Sequence, residues 1–197
     1  MRTLRYILWG LVAVTAATMV YLFLNGGLGS QSNQQLAGRV LGSEFTLTRH
    51  DGKPVTDKEL LGKPHVMFFG FTNCPEICPT SLFEIGNWLD KLGKDAERIS
   101  VYFVTVDPGR DTAQVMSRYL SSFDPRIVGI TGKVSKVEEM LRSFRVYFKR
   151  VELEDGNYTM DHTATVYLLN SEGRFVRSIA YGENGKSAVA KLRLMLK

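Results

Sequence analysis

The chain has 197 residues, 44% of them hydrophobic and 23% charged, enough to bury one good core and so to form one soluble domain with appendages. Its formal charge is +5, from 25 Lys and Arg against 20 Asp and Glu, and Arg2 and Arg5 supply two of the positive charges ahead of every acidic residue. The excess left in the rest of the chain is weak and scattered, which argues against nucleic acid as a partner.

From Tyr6 to Leu24 run nineteen residues without a charge, YILWGLVAVTAATMVYLFL. As a helix at ~1.5 Å per residue this spans roughly 28 Å, close to a bilayer core. Arg2 and Arg5 precede the run and nothing basic follows until Arg39, so residues 1–5 are expected as a cytoplasmic tail, 6–24 as a single transmembrane helix and the remainder outside. A cleaved signal peptide is the rival reading, with small residues at Val14 and Ala16; the run to Leu24 is long for an h-region of ~7–15 residues. A buried core helix is disfavoured because the segment has no polar stripe. No cysteine follows the run to carry a lipid, and five leading residues leave no room for a mitochondrial transit peptide. The expected setting is therefore a bacterial inner membrane with the domain in the periplasm. Residues 25–38, NGGLGSQSNQQLAG, read as an uncharged flexible tether with a reach of roughly 20 Å.

The globular part is expected over residues 39–197. Phe45 and Leu47 alternate with polar residues, and His50-Asp51-Gly52-Lys53 supplies turn residues, which predicts an N-terminal hairpin. His65 to Phe71 is a near-continuous apolar strand, as expected where both sheet faces are covered. Leu82, Ile85, Leu89 and Leu92 recur at helical spacing and mark a helix from Pro79. Ile99 to Asp107 is a second buried strand. Asp111 to Gln114 has capping-box spacing and opens a helix carrying Val115, Tyr119 and Phe123. A short strand at Ile127–Thr131 and a helix through Val137, Met140, Leu141 and Phe144 follow. Residues 155–157 form a turn, 163–169 and 174–180 a hairpin, and 188–196 a last helix. Strands alternating with helices, closed by a hairpin and helix, give an α/β, thioredoxin-like fold with an N-terminal hairpin extension.

The chemistry concentrates on Cys74 and Cys78, the only cysteines, in the strand–loop–helix passage FTNCPEICP of residues 71–79. Each precedes a proline, which disfavours αR, so neither is expected inside a regular helix; Pro79 is expected to open the helix with Cys78 as its N-cap. Both sulfurs would then lie near the positive end of a helix dipole, which favours thiolate. A structural disulfide, a redox dithiol and a soft-metal site all remain open for the pair. His162, entering a strand after a turn, is expected beside the dithiol loop, where oxidoreductases of this fold carry a cis-proline that this chain lacks. Two thiolates and an imidazole suit copper, as Cu(I) or Cu(II), whereas structural zinc would want a fourth protein ligand. His50 and His65 read as surface or packing residues.

These residues carry a resemblance. Residues 69–79 (FGFTNCPEICP), 106–112 (VDPGRDT) and the Asp161-His162…Tyr167-Leu168 passage resemble the three ordered motifs of the Sco/SenC family of thioredoxin-fold copper chaperones for cytochrome c oxidase assembly, from about Val40 onward. Glu76 stands where many relatives have Asp. The resemblance implies that Cys74, Cys78 and His162 are copper ligands and that Cys74 and Cys78 form the redox disulfide of the oxidised form. It further implies a recipient, the CuA site of cytochrome c oxidase subunit II, together with a copper donor and a thiol reductant, and a protein that is not strictly an enzyme. The alternative is a periplasmic thiol-disulfide reductase that keeps the oxidase cysteines reduced. A peroxiredoxin-like peroxidase is weaker, because Thr72 stands two residues before Cys74 where that family places its threonine three before. For Asp107, Arg110 and Asp111 the plain reading is that Asp111 caps a helix and Arg110 pairs with a carboxylate. Asp161 either orients the site or points to the other face of its strand.

Overall fold

The computed structural model describes residues 2–25, 38, 40–154 and 156–196. The chain divides into two compact units, residues 1–36 and 37–197. In the first, helix α1 (Arg2–Asn25) contains the whole uncharged run, and Arg2 to Arg5, expected as a tail, already belong to it. Leu8, Trp9, Leu11, Val12 and Val14 are exposed along it. Among the described residues no helix is long and apolar enough to cross a membrane. The expected tether at 25–38 lies outside the described residues apart from its ends, Asn25 and Gly38.

The second unit is built on a seven-stranded mixed sheet ordered β2-β1-β5-β4-β3-β8-β9. Its strands are β1 (Thr46–Arg49), β2 (Pro54–Thr56), β3 (His65–Gly70), β4 (Ser100–Thr105), β5 (Ile127–Thr131), β8 (Val166–Leu169) and β9 (Phe175–Ile179). The helices are α2 (Ile77–Leu92), α3 (Ala113–Leu120), α4 (Val134–Ser143) and α5 (Gly185–Met195). β3, β4 and β5 run parallel, whereas β1 joins β5, and β8 joins β3, antiparallel. Every residue of β3 is buried, which requires cover on both sheet faces and explains its unbroken apolar sequence. Phe68, Phe69, Phe103, Phe144 and Phe175 are fully buried, and Phe69 meets Tyr167 edge-on with ring centres 5.4 Å apart. The N-terminal hairpin, the central strands and the terminal helix thus stand as the apolar spacing predicts.

The parallel register pairs Gly70 with Thr105, so the loops leaving β3 and β4 emerge side by side at the carboxyl edge of the sheet. That edge is where open α/β sheets form their sites. β8 runs antiparallel to β3 with Met67 opposite Tyr167, so the chain that enters β8 arrives at the same edge. That chain comes from an antiparallel ribbon, β6 (Phe148–Glu152) and β7 (Tyr158–His162), which the sequence did not predict. The ribbon forms its own two-stranded sheet, apart from the seven-stranded one.

Candidate metal centre

Cys74 and Cys78 are free thiols on the passage from β3 to α2. The helix begins at Ile77 with Glu76 at its N-cap, not at Pro79 with Cys78 as cap. Cys78 is therefore the second helical residue. Proline is tolerated within the first turn because the N–H it lacks has no partner inside the helix, and that outweighs the preference of the preceding residue. The consequence is favourable: the Cys78 N–H donates to Cys74 Sγ at 3.3 Å. Cys78 is wholly buried and Cys74 half-buried.

Gly70 makes room for the inner sulfur. A Cβ there would lie 2.7 Å from Cys78 Sγ and 2.8 Å from Phe103 Cε2.

His162 closes β7 rather than opening a strand of the main sheet, and its backbone lies opposite Phe148 on the ribbon. Its Nδ1 lies 3.1 Å from the Thr163 carbonyl. A carbonyl only accepts, so Nδ1 carries the proton and the Nε2 lone pair is free. That Nε2 stands 3.7 Å from Cys78 Sγ, and the ring meets Phe71 edge-on at 5.6 Å. One donor atom from each of Cys74, Cys78 and His162 lies within 4.8 Å of the others. Two sulfurs and an unprotonated imidazole nitrogen at that spacing form a compact, soft donor set.

The two thiols are driven apart in acidity. The Cys78 thiol hydrogen-bonds to Cys74 and, with the N–H groups of Cys78 and Glu76, draws Cys74 down to about 4 against the opposing effect of burial. Cys78 moves strongly upward because it donates to Cys74, is buried and faces the Cys74 charge. One thiolate is thus ready at neutral pH, while the second proton leaves only when something replaces its role.

An open groove of about 260 Å³ runs beside Cys74 and His162, with Phe71, Pro75, Ile77 and Met160 among its walls. A larger hollow of about 420 Å³ lies among Phe45, Thr56, Lys136 and Met140, without thiol or imidazole. Donor chemistry, rather than volume, marks the site.

The other singled-out residues fall as follows. Asp107 accepts from Arg110 Nε and, at 3.0 Å, from the Tyr158 hydroxyl, so Arg110 does pair with a carboxylate. Asp111 is no cap. Thr112 caps α3, accepting from the Val115 N–H, and Asp111 is fully buried. Its carboxylate accepts from the Thr72 N–H at 3.1 Å, the Thr72 hydroxyl at 2.6 Å and the Thr105 hydroxyl at 2.7 Å. Asp161 is exposed and alternates with His162, and no hydrogen bond joins it to the three donors. His50 Nδ1 accepts the Gly129 N–H at 2.9 Å, and His65 is buried beside Tyr102, so both are packing residues away from the donors. Gly70 and Tyr158 were not visible as site residues; only their spatial neighbours give them a role.

The chain is similar to known proteins in both sequence and fold. The SCO1/SenC family model matches residues 33–197. Protein SCO1 homolog 1, mitochondrial, of Arabidopsis thaliana is 41% identical over 146 residues, covering 73% of this chain and 43% of that protein. Protein SCO1, mitochondrial, of Saccharomyces cerevisiae is 37% identical over 166 residues, covering 83% and 56%. The chain thus spans about half the length of these curated relatives. The solved structure of Bradyrhizobium japonicum ScoI with copper bound matches with a TM-score of 0.73 at 48% identity, covering 79% of this chain and 99% of that one. Yeast Sco1 with copper bound matches with a TM-score of 0.73 at 37% identity, covering 80% and 89%.

Proposed function

Because the chain belongs to the SCO1/SenC family, we propose that it is a membrane-anchored copper chaperone of cytochrome c oxidase assembly, with copper as cargo on Cys74, Cys78 and His162. The observation that carries this is the convergence of two sulfurs and one imidazole nitrogen within 4.8 Å. The relatives solved with copper bound support the choice of metal. Thiolates hold Cu(I), and the imidazole adds the donor that Cu(II) favours. The recipient is the CuA site of cytochrome c oxidase subunit II, with a separate copper donor and a thiol reductant upstream.

The anchor on this reading is the run of nineteen uncharged residues, 6–24, behind Arg2 and Arg5, and it rests on the sequence alone. The domain then lies on the periplasmic side of a bacterial inner membrane. The protein is a carrier rather than an enzyme in the strict sense.

A second reading, a thiol-disulfide reductase for the oxidase cysteines, is favoured by one feature. The outer thiol is acidified and the inner one buried, as in an attacking and resolving pair. The readings separate experimentally. On the copper reading, Cu(II) added to reduced protein gives intense visible thiolate-to-copper absorption. His162→Ala strongly weakens Cu(II) binding and that band but affects Cu(I) less, since two thiolates retain it. His50→Ala and His65→Ala change neither form. A His162→Ala protein with the parental Cu(II) affinity and spectrum removes the histidine from the site. Disulfide turnover at thioredoxin-like rates without copper uptake favours the reductase.

A further inference from the structure

The three donors come from two pieces of chain that share no strand pairing. Cys74 and Cys78 follow β3, while His162 ends a ribbon that, among the described residues, pairs with no strand of the main sheet. The β3–β8 pairing brings the chain just after His162 to the same edge but does not hold the ribbon itself, and the loop after β4 touches both pieces.

On one side Asp111 grips the dithiol loop. Its carboxylate takes both the N–H and the hydroxyl of Thr72, two residues before Cys74, and is tied to β4 through Thr105. On the other side Arg110 grips the ribbon. It donates Nη1 to the Tyr158 carbonyl at 2.9 Å, and its guanidinium carbon lies 3.6 Å from the centre of the Tyr158 ring. Arg150 lies 3.7 Å from the same centre. Two guanidinium groups this close to one ring occupy opposite faces, so the ring is sandwiched. Asp107 is buried, holds Arg110 through Nε and accepts the Tyr158 hydroxyl. A planar fork that donates edgewise and stacks facewise requires arginine; lysine cannot reproduce it. Tyr158 and His162 are four residues apart on β7 and share a face, so fixing the first fixes the second.

We propose that the loop from Asp107 to Thr112 is the positioning element of the three-donor site. Asp111 holds the dithiol half, and the Asp107–Arg110 pair holds the histidine half, before any metal arrives. The inference deepens the copper reading above and rests on it for its metal-bound consequences. Its geometric content is independent of copper: without Arg110 the ribbon loses its carbonyl and ring contacts to the loop and keeps only the Tyr158 hydroxyl on Asp107, so His162 drifts while the two thiols stay in place.

The test uses the full reduced chain in detergent micelles, comparing the parent with Arg110→Gln and Tyr158→Phe. In metal-free protein, NMR should show cross-relaxation between the rings of Phe71 and His162 in the parent, and Arg110→Gln should lose it. With copper, Arg110→Gln should weaken Cu(II) binding by about 10–100-fold, the usual effect of removing a group that orients a metal ligand, and diminish the thiolate-to-Cu(II) band. Cu(I) affinity should change far less. Tyr158→Phe, which keeps the sandwiched ring and loses only its hydroxyl bond, should stay near the parent. Retention of both the ring contact and the Cu(II) band in Arg110→Gln overturns the inference. So does an equal loss of Cu(I) and Cu(II), which is what general loosening of the domain produces. A parent that takes up no copper refutes the functional reading instead, and the ring contact in metal-free protein still decides this one.

Discussion

Replacing Gly70 by alanine tests how tightly the inner thiol is seated. The added Cβ would stand 2.7 Å from Cys78 Sγ and 2.8 Å from Phe103 Cε2, where ordinary contact begins at 3.4 Å. One or both neighbours must withdraw by about 0.6–0.7 Å. Phe103 is fully buried and stacked on Phe68 at 5.9 Å, and Cys78 is fully buried too, so neither gives freely and the sulfur is displaced along with the ring. Overpacking of this kind costs about 1–3 kcal/mol. Urea denaturation of reduced, chelator-treated protein should show that loss as a lower midpoint. Metal sites tolerate donor errors of only about 0.2 Å, so copper binding should weaken as well. In a Cys78→Ala background the offending sulfur is gone, and Gly70→Ala should cost less by a coupling of about 0.5–3 kcal/mol. An unchanged midpoint, or the same cost with and without the sulfur, would refute the seating argument.

Other expectations concern pH, redox state and topology. His65 is buried, and desolvation lowers its pKa from 6.5 to about 4 against the opposing effect of the Lys63 carbonyl. The unfolded chain therefore binds the extra proton. Stability is full above pH 6.5 and falls by roughly 3 kcal/mol as pH drops through about 4; His65→Gln should flatten that slope, and an unchanged slope between the two pH values would count against it. Copper should load the dithiol and not the Cys74–Cys78 disulfide, because only thiolates ligate; oxidised protein binding one equivalent as tightly as reduced protein defeats the site assignment. A reporter fused after Lys197 should be active in the periplasm with the N-terminus retained, and recovery of a soluble product beginning near Ala17 would show cleavage of α1 instead.

The fold was legible where burial imposes a period. β3 and β4 are apolar because they are covered on both faces, and α2 shows its buried Leu82, Ile85 and Leu89 at helical spacing. The β6–β7 ribbon was not legible for the same reason reversed: β6 is half-buried only at Phe148 and exposed thereafter, so no alternation is written into it. The three donors could be named from motif resemblance, but their mutual distance could not, because it depends on contacts such as Asp111 to Thr72, 39 residues apart. Capping-box spacing pointed to the right helix and the wrong residue: Thr112 takes the local role, and Asp111 is turned inward by hydroxyls that sequence order does not bring near it.

The unequal seating of the two sulfurs gives the site a direction. Cys78 has no exposed surface, whereas Cys74 borders the open groove. In the proposed carrier, a thiolate or imidazole of a recipient would approach the metal along this groove, where Cys74 and His162 are the donors on the wall. The outer sulfur would be the first donor an arriving metal meets and the last it leaves, with Cys78 held behind it.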